Sequence, residues 1–110
     1  MQPSETIKAL HAAYCQETGL HIQLTQQRMF AWDAWITHGA GATPPWGIPQ
    51  LVAVIQFLQV ESRQGDRNKG CLKFNNLIED FEGYNGRVLD AEWKYVESKV
   101  MLTHFYQIGR

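Results

Sequence analysis

Four cations fall within eleven residues at Arg63, Arg67, Lys69 and Lys73, in the run Arg-Gln-Gly-Asp-Arg-Asn-Lys-Gly-Cys-Leu-Lys. Lysine and arginine set among small, flexible residues can follow a phosphate backbone, and Asn68, Asn75 and Asn76 add neutral donors beside them. The same composition also describes a solvated loop, and the residues leave both readings open. Aromatic side chains supply a second kind of chemistry, because an exposed indole can stack on an unpaired base. Trp32 and Trp35 share a helical repeat and read as core, whereas Trp46 stands in the loop Gly39-Ala-Gly-Ala-Thr-Pro-Pro-Trp46-Gly47. There it is either an anchor returning to the core or an exposed interaction residue.

Other constellations carry less. Glu79, Asp80 and Glu82 offer carboxylates for a metal or for acid/base work. Adjacent carboxylates on one short segment lack the opposed geometry that acid/base work needs. They read instead as a solvated face, and secondarily as a surface for docking a basic partner protein. His11, His21, His38 and His104 are spread over different elements, and Cys15 and Cys71 lie in no Cys-x-x-Cys or Cys/His cluster. Phosphate-binding loop, zinc-protease, nucleophile-elbow and EF-hand patterns are missing. The expectation is a binding module with no catalytic residues, no metal and no cofactor.

The elements that must position these residues are helical. Ser4 is an N-cap for a helix over about residues 5 to 18, in which Ile7, Leu10, His11, Tyr14 and Cys15 recur on one face until Gly19. Leu20, Ile22 and Leu24 alternate too briefly for a sheet and predict an extended connector. Thr25 caps a second helix from Gln26 to His38, closed by Gly39, with Met29, Phe30, Trp32, Trp35 and Ile36 along it. Pro49 suits the first turn of a third, with Leu51, Val52, Ile55, Leu58 and Gln59 on one side, ending near Gln64-Gly65. Phe74, Leu77, Ile78 and Phe81 predict a short helix, and Leu89, Trp93, Val96, Val100 and Phe105 a last one over about Arg87 to Phe105. The fold class is therefore all-α: a compact bundle of about five helices with one short extended connector, forming a single domain over residues 1 to 110.

A chain of 110 residues that is 45% hydrophobic can bury a core without a disulfide or a metal. The formal charge of −1 excludes a generally basic nucleic-acid binder but not a local basic patch. With no apolar stretch of spanning length and no signal-peptide pattern, the sequence implies a cytoplasmic protein with no membrane partner and reduced thiols.

The order of features resembles the C-terminal domain of phage replisome-organizer proteins, similar to the DnaD-like domains of bacterial primosome proteins. The resemblance spans about Ile7 to Ala91. It runs through Thr18-Gly19, Leu24-Thr25-x-x-Arg28, Trp35-x-x-x-Gly39, Leu51-x-x-Val54-Ile55-x-x-Leu58 and Leu72-x-Phe74-x-Asn76-Leu77-Ile78 to Phe81 and Leu89. Trp32-x-x-Trp35-x-x-x-Gly39 is similar to the DnaD-type Ile-x-x-Trp-x-x-x-Gly signature, with Trp32 replacing isoleucine and Arg28 standing where that signature has tyrosine. The resemblance implies a DNA-replication accessory that binds DNA, single strands favoured, and helps recruit or load a replicative helicase. Its DNA contacts would come from Arg63, Arg67, Lys69 and Lys73, with Arg28 and a stacking Trp46. The alternative is a protein-interaction or oligomerisation module, in which Glu79, Asp80 and Glu82 or an aromatic surface engage a helicase, a helicase loader or a second copy.

Overall fold

The computed structural model describes residues 3–65, 67–81, 83 and 93, and among these it is all-α with no strand. Three helices carry the fold: α1 (Glu5–Thr18), α2 (Gln26–Gly39) and α3 (Ile48–Arg63). A 3-10 turn (Lys69–Leu72) and a π-helical turn (Asn75–Glu79) follow. The predicted helix over Arg87 to Phe105 lies outside the described residues. The short helix expected from Phe74 to Phe81 is instead the single π turn, in which the Asp80 amide reaches back five residues to the Asn75 carbonyl at 3.0 Å.

Each helix start follows from its cap. Ser4 Oγ accepts from the Ile7 amide at 3.1 Å, and Thr25 Oγ1 from the Arg28 amide at 3.3 Å. At α3, Gln50 Oε1 accepts from the Gly47 amide at 2.9 Å, and Pro49 occupies the first turn, where its missing donor costs nothing. Gly19 ends α1 with φ 74°, the left-handed conformation in which a Cβ is unfavourable. Gly39 is not a terminal cap of that kind. It is the last residue of α2, and the chain continues right-handed through Ala40.

The helices bury most of the stripes their spacing predicts, but in α3 Val54 is buried in place of the expected Val52 and Gln59, and Phe30 of α2 is exposed. Ile7, Leu10 and Tyr14 of α1 meet Met29, Trp32 and Trp35 of α2 and Leu51, Val54, Ile55 and Leu58 of α3. Phe74, Leu77, Ile78 and Phe81 close the cluster from the turn region. α1 packs on both α2 and α3, and the π turn packs on α2. Trp32 sits at the centre, edge-on to Trp35 and Phe74 with ring centroids 5.5 and 5.6 Å away, the arrangement aromatic quadrupoles prefer. Residues 20 to 24 form the expected irregular connector, with Ile22 and Leu24 half-buried against the core. No helix among the described residues is long and apolar enough to cross a membrane.

Candidate nucleic-acid interface

The cations singled out in the sequence are divided by the fold among three environments. Arg28, in the first turn of α2, and Lys73, after the 3-10 turn, line one groove of about 340 Å³. Tyr14, Leu20, Ile22, Phe74, Asn75 and Glu79 complete its described lining. Arg28 Nη1 donates to the Gln23 carbonyl at 2.6 Å, and its guanidinium carbon lies 5.9 Å from the centroid of the Phe74 ring. That contact combines a cation with an aromatic face and holds the plane of the guanidinium at the groove. Lys73, Asn75 and Glu79 are exposed. Arg28, Lys73 and Glu79 form no ion pair with one another among the described residues.

Arg63 stands elsewhere. As the last residue of α3 it lines a separate hollow, also of about 340 Å³, with Gln59, Ser62 and Leu72. Arg67 is engaged inside the protein: its Nε donates to Glu61 Oε2 at 2.8 Å, and its side chain is only 11% exposed. The run read as a loose basic loop is thus partly folded inward at this position. Lys69 contributes backbone to the 3-10 turn, and its side chain lies outside the description. Asn68 Oδ1 accepts from the Gly70 amide at 2.8 Å, and Asn76 Nδ2 donates to the Gly70 carbonyl at 2.7 Å. Two of the three asparagines therefore help to shape the turn, while Asn75 faces the groove.

The groove owes its position to Tyr14, which the sequence marked only as a core residue. Its hydroxyl donates to the Leu72 carbonyl at 2.7 Å, tying α1 to the segment that carries Lys73. Burial pushes the Tyr14 phenol well above its usual range, and the nearby Arg28 charge offsets only part of that rise. A second link sits deeper. His11, buried in α1, receives the Trp32 indole N–H at Nδ1 across 3.0 Å, and its Nε2 lies 2.9 Å from the Ile22 carbonyl. With Nδ1 accepting, the ring carries its hydrogen on Nε2 and donates it to the connector that forms the apolar side of the groove. Helical periodicity placed His11 on the inner face, but nothing in the spacing indicated a partner eleven or twenty-one residues away.

Trp46 resolves in favour of the loop anchor. It is half-buried against the core, with ring centroids 5.2 Å from Trp35, 5.0 Å from His38 and 6.2 Å from Phe81. Its amide donates to the Gly39 carbonyl at 3.0 Å. Gly39 is required by this packing: a Cβ there would stand 2.5 Å from Trp46 Cβ and 2.7 Å from its Cγ. Of the acidic residues, Asp80 is exposed and Glu79 shares the groove with Arg28 and Lys73. Glu82 and His104 lie outside the described residues. Among the described residues no three His, Cys, Asp or Glu side chains are grouped to hold a metal ion. Cys71 is half-buried, and burial pushes its thiol up despite the Arg67 charge nearby.

Compared with protein-family models, curated proteins and solved structures, the chain finds no match.

Proposed function

We propose that this chain is a DNA-replication accessory module that binds single-stranded DNA and helps recruit or load a replicative helicase. The observation that carries the DNA-binding part is the meeting of Arg28 and Lys73 at one groove that Asn75 also lines. Two cations that form no ion pair among the described residues offer charge to phosphate oxygens, and an amide adds a neutral donor. A groove of this size admits a single strand, whose bases are free to leave the stack, more readily than a duplex. The replication context comes from the sequence resemblance to replisome-organizer domains. Arg28 stands at the tyrosine position of the related signature and lines the groove.

Fluorescence anisotropy with a labelled oligothymidine strand at low salt tests the reading. Saturable binding that weakens with salt is expected, because each phosphate contact releases counterions. Replacing both Arg28 and Lys73 with alanine should reduce affinity and lower the slope of log affinity against log salt by about 1.4, corresponding to two phosphates on a single strand. Absence of binding, or a double variant that binds as the parent does, overturns the proposal.

A second reading has its own observation. Phe30 on α2 is 56% exposed, a large apolar side chain left uncovered among the described residues. In a protein-interaction module this residue would contact a helicase, a helicase loader or a second copy. Light scattering together with a pull-down on a replicative helicase, comparing the parent with Phe30→Ser, separates the two readings.

A further inference from the structure

The groove pairs its two cations with an acceptor that phosphate recognition does not need. Glu79 lines the same hollow as Arg28 and Lys73, is exposed, and forms no ion pair with either. A surface evolved only to hold a polyanion is weakened by a carboxylate at that place, since like charge repels each incoming phosphate. A carboxylate does serve a ligand that presents N–H donors close to its negative group. The groove also has apolar lining, formed in part by Leu20, which is 38% exposed, and by Ile22. Such a lining accepts the face of a planar ring. Its volume of about 340 Å³ is at the lower end of the range for small-ligand sites, suited to one nucleotide and too small for several stacked bases.

We infer that the groove is a seat for one unpaired base of a single strand, with Arg28 and Lys73 on the flanking phosphates and Glu79 accepting from the base's Watson–Crick edge. This rests on the DNA-binding reading above and adds a sequence preference to it. Guanine is the base favoured, because its N1–H and N2–H lie side by side and match the two oxygens of a carboxylate. Thymine is disfavoured, because its single N3–H lies between two carbonyls that face the same carboxylate.

Competition against labelled oligothymidine tests the seat, using an unlabelled short thymidine oligonucleotide and its counterpart with one central guanine. The guanine strand should compete about five- to tenfold better, the lower end of what a bidentate base contact contributes. Glu79→Gln should abolish that preference while leaving affinity for the thymidine strand equal or higher, because the variant removes repulsion along with the acceptor pair. Loss of thymidine binding in Glu79→Gln would mean that the carboxylate shapes the groove instead of reading the base, and would overturn the seat. Equal competition by the two strands, or a guanine preference that survives Glu79→Gln, also overturns it while leaving DNA binding intact. If no strand binds the parent protein, the DNA-binding reading falls as well.

Discussion

Inside the core, the indole N–H of Trp32 is donated to Nδ1 of His11 across 3.0 Å, joining the most buried tryptophan of α2 to the one buried polar side chain of α1 among the described residues. Both are on stripes that face the same interior, so the polar atoms of each answer the other. A buried donor with its acceptor removed loses far more than the net value of one bond.

His11→Phe should therefore destabilise the fold by about 2–4 kcal/mol, because it strands the Trp32 indole N–H and leaves the Ile22 carbonyl only the weak Cys15 thiol as donor. Urea unfolding followed by tryptophan fluorescence measures it. A loss below about 1 kcal/mol would show that neither bond matters in the folded state.

Tyr14→Phe should cost about 1–2 kcal/mol at neutral pH, since the Leu72 carbonyl loses its donor while the ring packing stays. The phenol also makes stability pH-dependent. Its folded pKa lies above the unfolded value of about 10, so the contribution is fully present below about pH 10 and is lost as pH rises beyond it. Urea midpoints taken between neutral and strongly alkaline pH should fall for the parent and fall less for the phenylalanine variant.

Gly39→Ala should destabilise by about 1–3 kcal/mol through overpacking against Trp46, despite the better helix propensity of alanine. The cost should largely vanish in a Trp46→Ala background. A double-mutant cycle gives the coupling, and additive effects would break the link between the two positions.

Arg67 and Lys73 should separate cleanly. Arg67→Ala removes the partner of half-buried Glu61 and should lower stability by about 1–3 kcal/mol. Lys73→Ala is exposed and should change stability by no more than about 0.5 kcal/mol. Their effects on DNA affinity, measured well below the unfolding midpoint, should rank the other way.

Much of the helical frame could be read directly from the residues. Ser4, Thr25 and Pro49 mark helix starts because capping and proline geometry are local, and spacing gives the buried face of α1 and, in α3, Leu51, Ile55 and Leu58 but not Val54. Gly39 was legible as a special position but for the wrong reason, since a glycine that ends a helix and one that admits a distant indole look alike in sequence. The segment from Arg63 to Lys73 was the hardest. Its composition conveys charge and turn chemistry, but Arg67 turning inward to Glu61 depends on where α3 stops and how the 3-10 turn folds back. Arg28 and Lys73 meet across forty-five positions with no shared pattern, brought together by the packing of the π turn on α2 and by the bond from Tyr14 to Leu72.

The bond from Tyr14 to Leu72 closes a span of 58 residues, and the groove lies along that closure. One bank is made by residues 14 to 28, the other by residues 73 to 79. The hollow is therefore a seam between the stretch joining α1 to α2 and the turns that follow α3. Anything seated there holds the two banks together, so occupancy acts as a clasp, and its grip would appear as a rise in melting temperature with ligand concentration.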